Sequence, residues 1–221
     1  MTIPRKNKAG PKGIVLVLGN GQFPPLRRLN GVLKSAVRIV CCDGAADKAL
    51  RAGIVPDVVV GDLDSISPAA KKKIGNIVSV KRQDMTDLEK AMAWCRENGL
   101  GRNRFVLAGF TGGRSDFTLY NLHLLKRFAD RDVTLIDDFF RIFPARNGTA
   151  LSGLAEGTLV SLVPLERTTG VTTQGLKWDL KNAVLEPGGL ESASNRVRKN
   201  PARLRYKKGF LLWFVSDDKH L

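Results

Sequence analysis

Up to about residue 145, the chain alternates short apolar runs with segments that have a helical period. Six apolar runs have the length of strands and lie in segments 14–18, 37–44, 56–65, 76–84, 103–113 and 132–138. Helices are predicted around Leu26–Ser35 and over residues 45–53, 86–99 and 115–129. This alternation is typical of a mostly parallel sheet with helices on both faces.

The predicted helix over residues 86–99 carries signals at both of its ends. Thr86, followed three residues later by Glu89, forms a capping box at the start of the helix. Gly99 supplies the residue at which such helices commonly end. The bounds of this helix are therefore the best defined in the sequence.

After about residue 145, the pattern changes to short β-rich segments separated by glycine, proline or polar turns. These segments read "GTLVSLVPL", "VTTQGLKWDL", "AVLEPGG", "ARLRYKKG" and "FLLWFVS". A long helical period does not occur among them, which favours a small antiparallel β-sandwich. We therefore predict an α/β domain over residues 1–143, beginning with a basic tail at 1–13, and a smaller antiparallel β-sandwich domain over residues 144–221.

Composition supports a protein with a real core that stays in the cytoplasm. Hydrophobic residues make up 43% of the 221 positions. The longest early apolar run, Ile14–Leu18, is too short for a signal peptide or a membrane span. Three cysteines without CxxC spacing argue against a disulfide framework and a zinc site, and indicate reduced, buried thiols.

The formal net charge of +15 predicts attraction to polyanions, either nucleic acid or charged small molecules such as nucleotides. The charge is concentrated in residues 1–13 and 196–208, which contain no acid. The first run indicates a solvated tail, and the second a basic loop or hairpin. Neither has the regular alternation with aromatic residues that base-stacking platforms use, which argues against a nucleic-acid role.

Polar residues cluster where four consecutive predicted strands end. They are Asp43 after the second strand, Asp62 and Asp64 after the third, Gln83, Asp84 and Asp87 after the fourth, and Gly112, Gly113, Arg114 and Asp116 after the fifth. Taken singly, each acid is explained as a turn former or a helix cap. Taken together, they match the rule that open parallel sheets bind ligands beyond the carboxyl ends of their strands.

Asp62 and Asp64 are the first candidates for a metal site. In extended backbone, residues i and i+2 point to the same side, so the two carboxylates converge unless the turn redirects them. Close carboxylates repel each other, and a cation between them relieves that cost. With no histidine or cysteine nearby, oxygen ligands favour magnesium over zinc.

The remaining strand-end residues suit phosphate. Arg114 offers a planar fork for phosphate oxygens, and Gly109, Gly112 and Gly113 let the backbone approach a phosphate chain. Asp87 falls in the first turn of its helix. The set predicts magnesium-dependent transfer of a phosphoryl-type group. The chain lacks a Walker GxxxxGK[ST] loop, protein-kinase signatures and a complete GxGxxG motif, so it is neither a P-loop enzyme nor an obvious dehydrogenase.

Five motifs together resemble the thiamine pyrophosphokinases in order and spacing. They read "DGAADKAL", "PDVVVGDLDSI", "QDMTDLEKAM", "GGRSDFTLYNLHLL" and "TTQGLKWDL…GGLESASN", and cover the chain from about residue 14 onward. The resemblance implies transfer of a pyrophosphoryl group from ATP to the hydroxyethyl oxygen of thiamine, giving thiamine diphosphate and AMP. It also implies a need for Mg²⁺ and a homodimer whose active sites are shared between subunits.

The resemblance also assigns roles to individual residues. The metal is expected at Asp43, Asp62, Asp64 and Asp87, and ATP at Asp43, Gln83, Gly112, Gly113 and Arg114. Asp64, Asp87, Arg114 and Asp116 are the expected catalytic residues, with Asp64 or Asp116 accepting the proton of the alcohol. Trp178, Ser194 and Asn195 are expected to line the thiamine site, where an aromatic ring suits a flat cation.

Two positions depart from the pattern of many relatives. Where these have DGGAN, this chain has DGAAD and ends the motif with Asp47. Phe117 stands where many have a histidine after the GGRxD aspartate, so a catalytic histidine is not assigned there.

Two other functions are compatible with parts of the sequence. A pyrophosphokinase acting on another small alcohol, such as a pterin, shares the acidic motifs but not the GLKW and SASN segments. A basic nucleic-acid-binding protein accounts for the net charge but leaves the acidic strand ends unexplained. The sequence thus favours thiamine and ATP as substrates, with no membrane partner.

Overall fold

The computed structural model describes residues 13–217, so most of the predicted basic tail lies outside the described residues. The chain divides into two compact units between Thr118 and Leu119. The predicted functional boundary at residue 143/144 remains a prediction. No helix within residues 13–217 is long and apolar enough to cross a membrane.

The first unit contains five parallel strands, β1 (Ile14–Leu18), β2 (Ala36–Cys42), β3 (Val58–Gly61), β4 (Ile77–Ser79) and β5 (Arg104–Ala108). They are hydrogen-bonded in the order β4-β3-β2-β1-β5. Successive side chains of a strand point to opposite faces. Every residue of β3 and nearly every residue of β1 and β5 is buried, so both faces of the sheet are covered. The predicted mostly parallel α/β arrangement is confirmed.

Five helices follow the strands. They are α1 (Leu26–Ser35), α2 (Ala45–Arg51), α3 (Pro68–Ile74), α4 (Asp87–Glu97) and α5 (Ser115–Arg127). The capping box of α4 is present, since Thr86 and Glu89 bond each other's backbone N–H groups. The helix α3 was not predicted. It begins at the cap Ser67, whose side chain accepts a hydrogen bond from the Ala70 N–H group.

The second unit is a β-sandwich. One sheet contains β6 (Val133–Ile136), β7 (Phe140–Pro144), β14 (Leu211–Ser216), β9 (Leu159–Pro164) and β12 (Ser192–Arg196), and the other contains β11 (Ala183–Leu185), β10 (Thr168–Gln174), β13 (Ala202–Arg205) and β8 (Ala150–Leu151). The strand pairs described within each sheet are antiparallel. Buried residues of both sheets, such as Leu162, Trp213, Val171 and Leu204, form one core, which confirms the predicted sandwich.

The structure also tests the predictions made for the basic run over 196–208 and for the cysteines. The basic run over 196–208 is neither one loop nor a hairpin, because it includes the end of β12 and the whole of β13, and these two strands lie in different sheets. The three cysteines, Cys41, Cys42 and Cys95, are buried, as expected, and are not joined in disulfides.

Candidate active site

Three carboxylates meet at the carboxyl ends of β2 and β3. Asp43 follows β2, Asp62 follows β3, and these neighbouring parallel strands end at the same edge of the sheet. One carboxylate oxygen from each of Asp43, Asp62 and Asp64 lies within 4.8 Å of the others. The structure therefore brings together three of the four residues expected to hold metal.

The backbone around these acids is adapted to close approach. A Cβ atom at Gly61 would lie 2.6 Å from the Cβ atom of Asp43, so only glycine lets the end of β3 pass this side chain. Leu63, between Asp62 and Asp64, has φ 71°, which is uncommon for a residue with a side chain. The two acids thus converge through a turn and not through the extended backbone on which the prediction relied.

Asp43 provides the observation that points to a cation. The residue is 1% exposed, and its Oδ2 atom accepts a hydrogen bond of 3.0 Å from the Ser65 N–H group. Its Oδ1 atom is buried and has no hydrogen-bond partner in the described part of the chain. Burial raises the pKa of Asp43, and the neighbouring Asp64 and Asp62 raise it further against the opposing Ser65 bond. A divalent cation would satisfy this oxygen, so the residues present fit magnesium.

The exposure of the three acids is graded. Asp43 is buried, Asp62 is half-buried and Asp64 is exposed. The Oδ1 atom of Asp64 accepts a hydrogen bond of 2.7 Å from the Ser65 hydroxyl. Ser65 therefore bonds both the most buried and the most exposed of the three carboxylates.

Lys90, a residue with no role predicted from the sequence, links this cluster to Asp87, the fourth expected metal ligand. Its Nζ atom lies 3.3 Å from Asp62 Oδ2 and 3.2 Å from Asp87 Oδ1. Burial opposes the charge of Lys90, but its bonds to Asp87 and Asp62 raise its pKa overall. Burial likewise opposes the charge of Asp62, and Lys90 outweighs it and lowers the pKa of Asp62.

The loops after β1 and β5 are joined backbone to backbone. The N–H groups of Gly19 and Gly21 donate to the carbonyl oxygens of Ala108 and Gly109, at 2.8 and 2.6 Å. The ammonium of Lys48 donates to the carbonyl oxygens of Asn20 and Gly21 in the first of these loops. Two glycine-containing loops are thereby fixed at the edge where β1 and β5 end.

Arg114 and Asp116 form an exposed pair with each other. Arg114 donates to both carboxylate oxygens of Asp116, from Nε at 3.1 Å and from Nη2 at 2.5 Å, and this bond lowers the pKa of Asp116. The guanidinium also lies 4.4 Å from the ring centre of Phe117. Gly112 and Gly113, directly before it, both have positive φ values near 70°. Gln83 is exposed in the segment after β4.

The departure at Asp47 has a structural role. Its carboxylate accepts hydrogen bonds from the N–H group and the hydroxyl of Ser67, at 3.0 and 2.6 Å. Ser67 is the cap of α3. Asp47 therefore ties α2 to the start of the helix that follows the Asp62–Asp64 turn.

The predicted thiamine-site residues lie together in the second unit. The Trp178 side chain is 56% exposed, whereas Asn195 is only 2% exposed. Asn195 bonds both backbone polar groups of Trp178 through its side-chain amide. The Ser194 N–H group donates to Ser161 Oγ at 2.9 Å. Asp179, whose role the sequence does not indicate, accepts hydrogen bonds from the Thr173 hydroxyl in β10 and from the N–H groups of Gly175 and Leu176, and so ties the turn to the strand before it.

Comparisons with known proteins match both parts of the chain. The family profile "Thiamin pyrophosphokinase, catalytic domain" matches residues 29–136. The profile "Thiamin pyrophosphokinase, vitamin B1 binding domain" matches residues 147–211.

Individual relatives agree with these profiles. Thiamine pyrophosphokinase 1 of Oryza sativa subsp. japonica is 32% identical over 206 residues, which cover 80% of this chain and 78% of the relative. Thiamin pyrophosphokinase 1 of Caenorhabditis elegans is 32% identical over 179 residues, covering 75% of this chain and 74% of that protein. The crystal structure of thiamine pyrophosphokinase from Bacillus subtilis aligns with a TM-score of 0.78 at 25% identity, covering 93% of this chain and 99% of that one.

Proposed function

This chain belongs to the thiamin pyrophosphokinase family, and we propose that it is a thiamine diphosphokinase whose Asp43, Asp62 and Asp64 hold magnesium. The enzyme transfers a pyrophosphoryl group from ATP to the hydroxyl of thiamine, giving thiamine diphosphate and AMP. The observation that carries the metal assignment is the buried Oδ1 atom of Asp43, which lacks a hydrogen-bond donor among the described residues although Asp43 is clustered with two other carboxylates. When bound there, magnesium neutralises charge on the phosphates.

Other residues of the first unit complete the metal site and bind ATP. Asp87, held near the cluster by Lys90, completes the metal ligands. Gln83, Gly112, Gly113 and Arg114 bind ATP, and the exposed guanidinium of Arg114 is available to phosphate oxygens once it leaves Asp116. In this proposal, residues 1–143 form the domain that binds ATP and magnesium.

The reacting alcohol must lose a proton to Asp64 or Asp116. Asp64 is exposed beside the other carboxylates, whereas Asp116 is bound to Arg114, which makes it a weaker base until that bond opens. Separate Asp64→Asn and Asp116→Asn variants decide between them. In the wild type, kcat should increase with pH as the base loses its proton. The variant that lacks the base should no longer show this increase.

Residues 144–221 bind thiamine in this proposal. The exposed ring of Trp178 stacks on the flat cation, and Ser194 and Asn195 complete the wall. Thiamine is favoured over a pterin or another small alcohol because the vitamin B1 binding profile matches this part of the chain. The enzyme family likewise disfavours the nucleic-acid-binding alternative.

The decisive experiment incubates the purified chain with ATP, magnesium and thiamine, and separates the products by chromatography. We expect AMP and thiamine diphosphate in equal amounts, and none without thiamine or with excess chelator. Formation of ADP, or activity only with another alcohol, would contradict the proposal.

Two further properties are proposed from the family resemblance and the thiols. The enzyme forms a homodimer with active sites shared between subunits. Size-exclusion chromatography with light scattering tests this by measuring the mass of the particle in solution. It works in the cytoplasm, since buried cysteines that are not joined in disulfides suit a reducing compartment. Tagging the chain and imaging it in cells tests that location.

A further inference from the structure

Lys90 lies at a position where burial and the nearby start of a helix both disfavour a positive charge. Its side chain is 4% exposed, and burying an ammonium is costly unless it is paired. It is also the fourth residue of α4, close to the helix start, where the backbone already carries partial positive charge. Nearby anionic side chains must therefore explain why a cation is buried here.

The carboxylates of Asp62 and Asp87 provide that explanation. They belong to different elements, since Asp62 follows β3 and Asp87 begins α4. Lys90 bonds both through a single nitrogen, at 3.3 and 3.2 Å. Its third N–H group makes no hydrogen bond among the described residues. One buried ammonium thus sets the spacing of two acids that are remote in sequence.

We propose that Lys90 is the countercation of the metal-free site: it positions Asp62 and Asp87, and it competes with a divalent cation for the Oδ2 atom of Asp62. This inference rests on the proposed function, because it takes those carboxylates as metal ligands. Lys90 is a positioning residue, since it acts through the two acids and not on a substrate.

Competition follows from charge at short range. An ammonium next to Asp62 cancels part of the negative potential that draws a metal ion to the cluster. The protein without nucleotide therefore holds a free divalent ion weakly, and firm binding requires the additional oxygens of ATP phosphates. Lys90 in this way makes the metal site depend on the nucleotide.

The test measures binding of Mn²⁺ alone to the nucleotide-free full-length protein. Electron paramagnetic resonance follows it, because the signal of free Mn²⁺ decreases as the ion binds. Lys90→Met removes the charge and keeps a long side chain. We expect its affinity for Mn²⁺ to rise about tenfold or more, because the competing charge is gone. Lys90→Arg keeps the charge, and we expect it to bind Mn²⁺ as weakly as the wild type.

Lys71→Met is the matched control. Lys71 donates to the Leu63 carbonyl oxygen at 3.1 Å, so it contacts the same turn without bonding a carboxylate. We expect a much smaller change of Mn²⁺ affinity in this variant. Circular dichroism verifies folding, and Lys90→Gln replaces Lys90→Met if the latter unfolds.

Turnover provides the second readout. With Asp87 no longer held, kcat of Lys90→Met should fall while the KM for thiamine stays unchanged, and Lys90→Arg should restore part of the loss. Unchanged or weaker Mn²⁺ binding in the neutral variants, or no binding in any variant, overturns the inference. A wild type that makes no thiamine diphosphate defeats the proposed function, and the Mn²⁺ comparison still decides the role of Lys90.

Discussion

The side-chain amide of Asn195 brackets the backbone of Trp178. Its Oδ1 atom accepts from the Trp178 N–H group at 3.1 Å, and its Nδ2 atom donates to the Trp178 carbonyl oxygen at 2.8 Å. The amide is buried and the indole ring is exposed. A buried group therefore fixes the backbone from which an exposed aromatic surface projects.

Trp178→Ala should weaken thiamine binding without unfolding the protein. The lost stacking should raise the KM for thiamine about tenfold, and kcat should change little. Stability should hardly change, since the ring is exposed. Steady-state kinetics and thermal unfolding measure both effects, with Trp178→Phe as the control that retains a ring. An unchanged KM would remove Trp178 from the thiamine site.

Asp62→Asn should abolish most turnover while the fold remains intact. The amide keeps the shape of the side chain but loses the charge that attracts a metal ion and pairs with Lys90. We expect kcat to fall at least about a hundredfold, with a native circular dichroism spectrum. Asp84→Asn is the control, because Asp84 is exposed and paired with Arg82. Full activity of Asp62→Asn would refute the metal assignment.

Asp43→Asn should make the metal-free protein more stable and the enzyme inactive. The neutral amide is less costly to bury and can donate to the neighbouring carboxylates, which relieves their repulsion. We expect a gain of about 1 kcal/mol in the free energy of unfolding. Thermal unfolding with and without magnesium and ATP measures the effect, and the shift caused by these ligands should shrink. A lower melting temperature of Asp43→Asn than of the wild type would show that the Asp43 charge does not destabilise the metal-free protein.

Asp47→Asn should reduce stability in a pH-dependent manner. Hydrogen bonds from the Ser67 hydroxyl and then its N–H group hold the pKa of Asp47 below its usual value. A lowered folded-state pKa stabilises the protein above the unfolded pKa, and this stabilisation is lost as pH falls through the folded pKa. At pH 7 we expect a loss of about 1 kcal/mol.

Urea unfolding of both proteins from pH 7 down to pH 2 measures the difference. The gap in unfolding free energy should be constant above about pH 4 and close below it. A gap that stays the same at low pH would mean that shape, and not charge, makes the Asp47 contact stabilising.

Sequence patterns predicted the parallel sheet because its buried strands and amphipathic helices leave strong periodic signals. The capping box at Thr86 and Glu89 marked the start of α4 for the same reason, since both residues act locally. The grouping of Asp43 with Asp62 followed from topology. Neighbouring parallel strands must end at one edge of a sheet.

The elements that the sequence did not reveal are short or depend on distant partners. The helix α3 reads PAAKKKI, and its three consecutive lysines leave too few apolar positions to show a helical period, although Ser67, Pro68 and Gly75 mark its ends. The strand β12 has the polar sequence SASNR and forms through its pairing with β9, with Ser194 at φ 54° in an irregular register. Tertiary pairing overrides local preference there.

The residues missed at the candidate site are those whose role comes from long-range contacts. In sequence, Lys90 is one more charged residue on a helix, and that pattern usually means a solvated face. Only the folded chain shows that it is buried between Asp62 and Asp87. Lys48 and Asp179 escaped notice for the same reason, since both bond backbone atoms of loops or turns.

The graded exposure of Asp64, Asp62 and Asp43 gives the cluster a direction of entry. The exposed Asp64 would be the first of the three to meet an ion from solvent, and the partnerless Oδ1 atom of Asp43 the last. Carboxylates that differ in exposure in this way would suit an ion that dehydrates reluctantly. Asp64 would then form the solvent side of the metal site, and Asp43 its buried side.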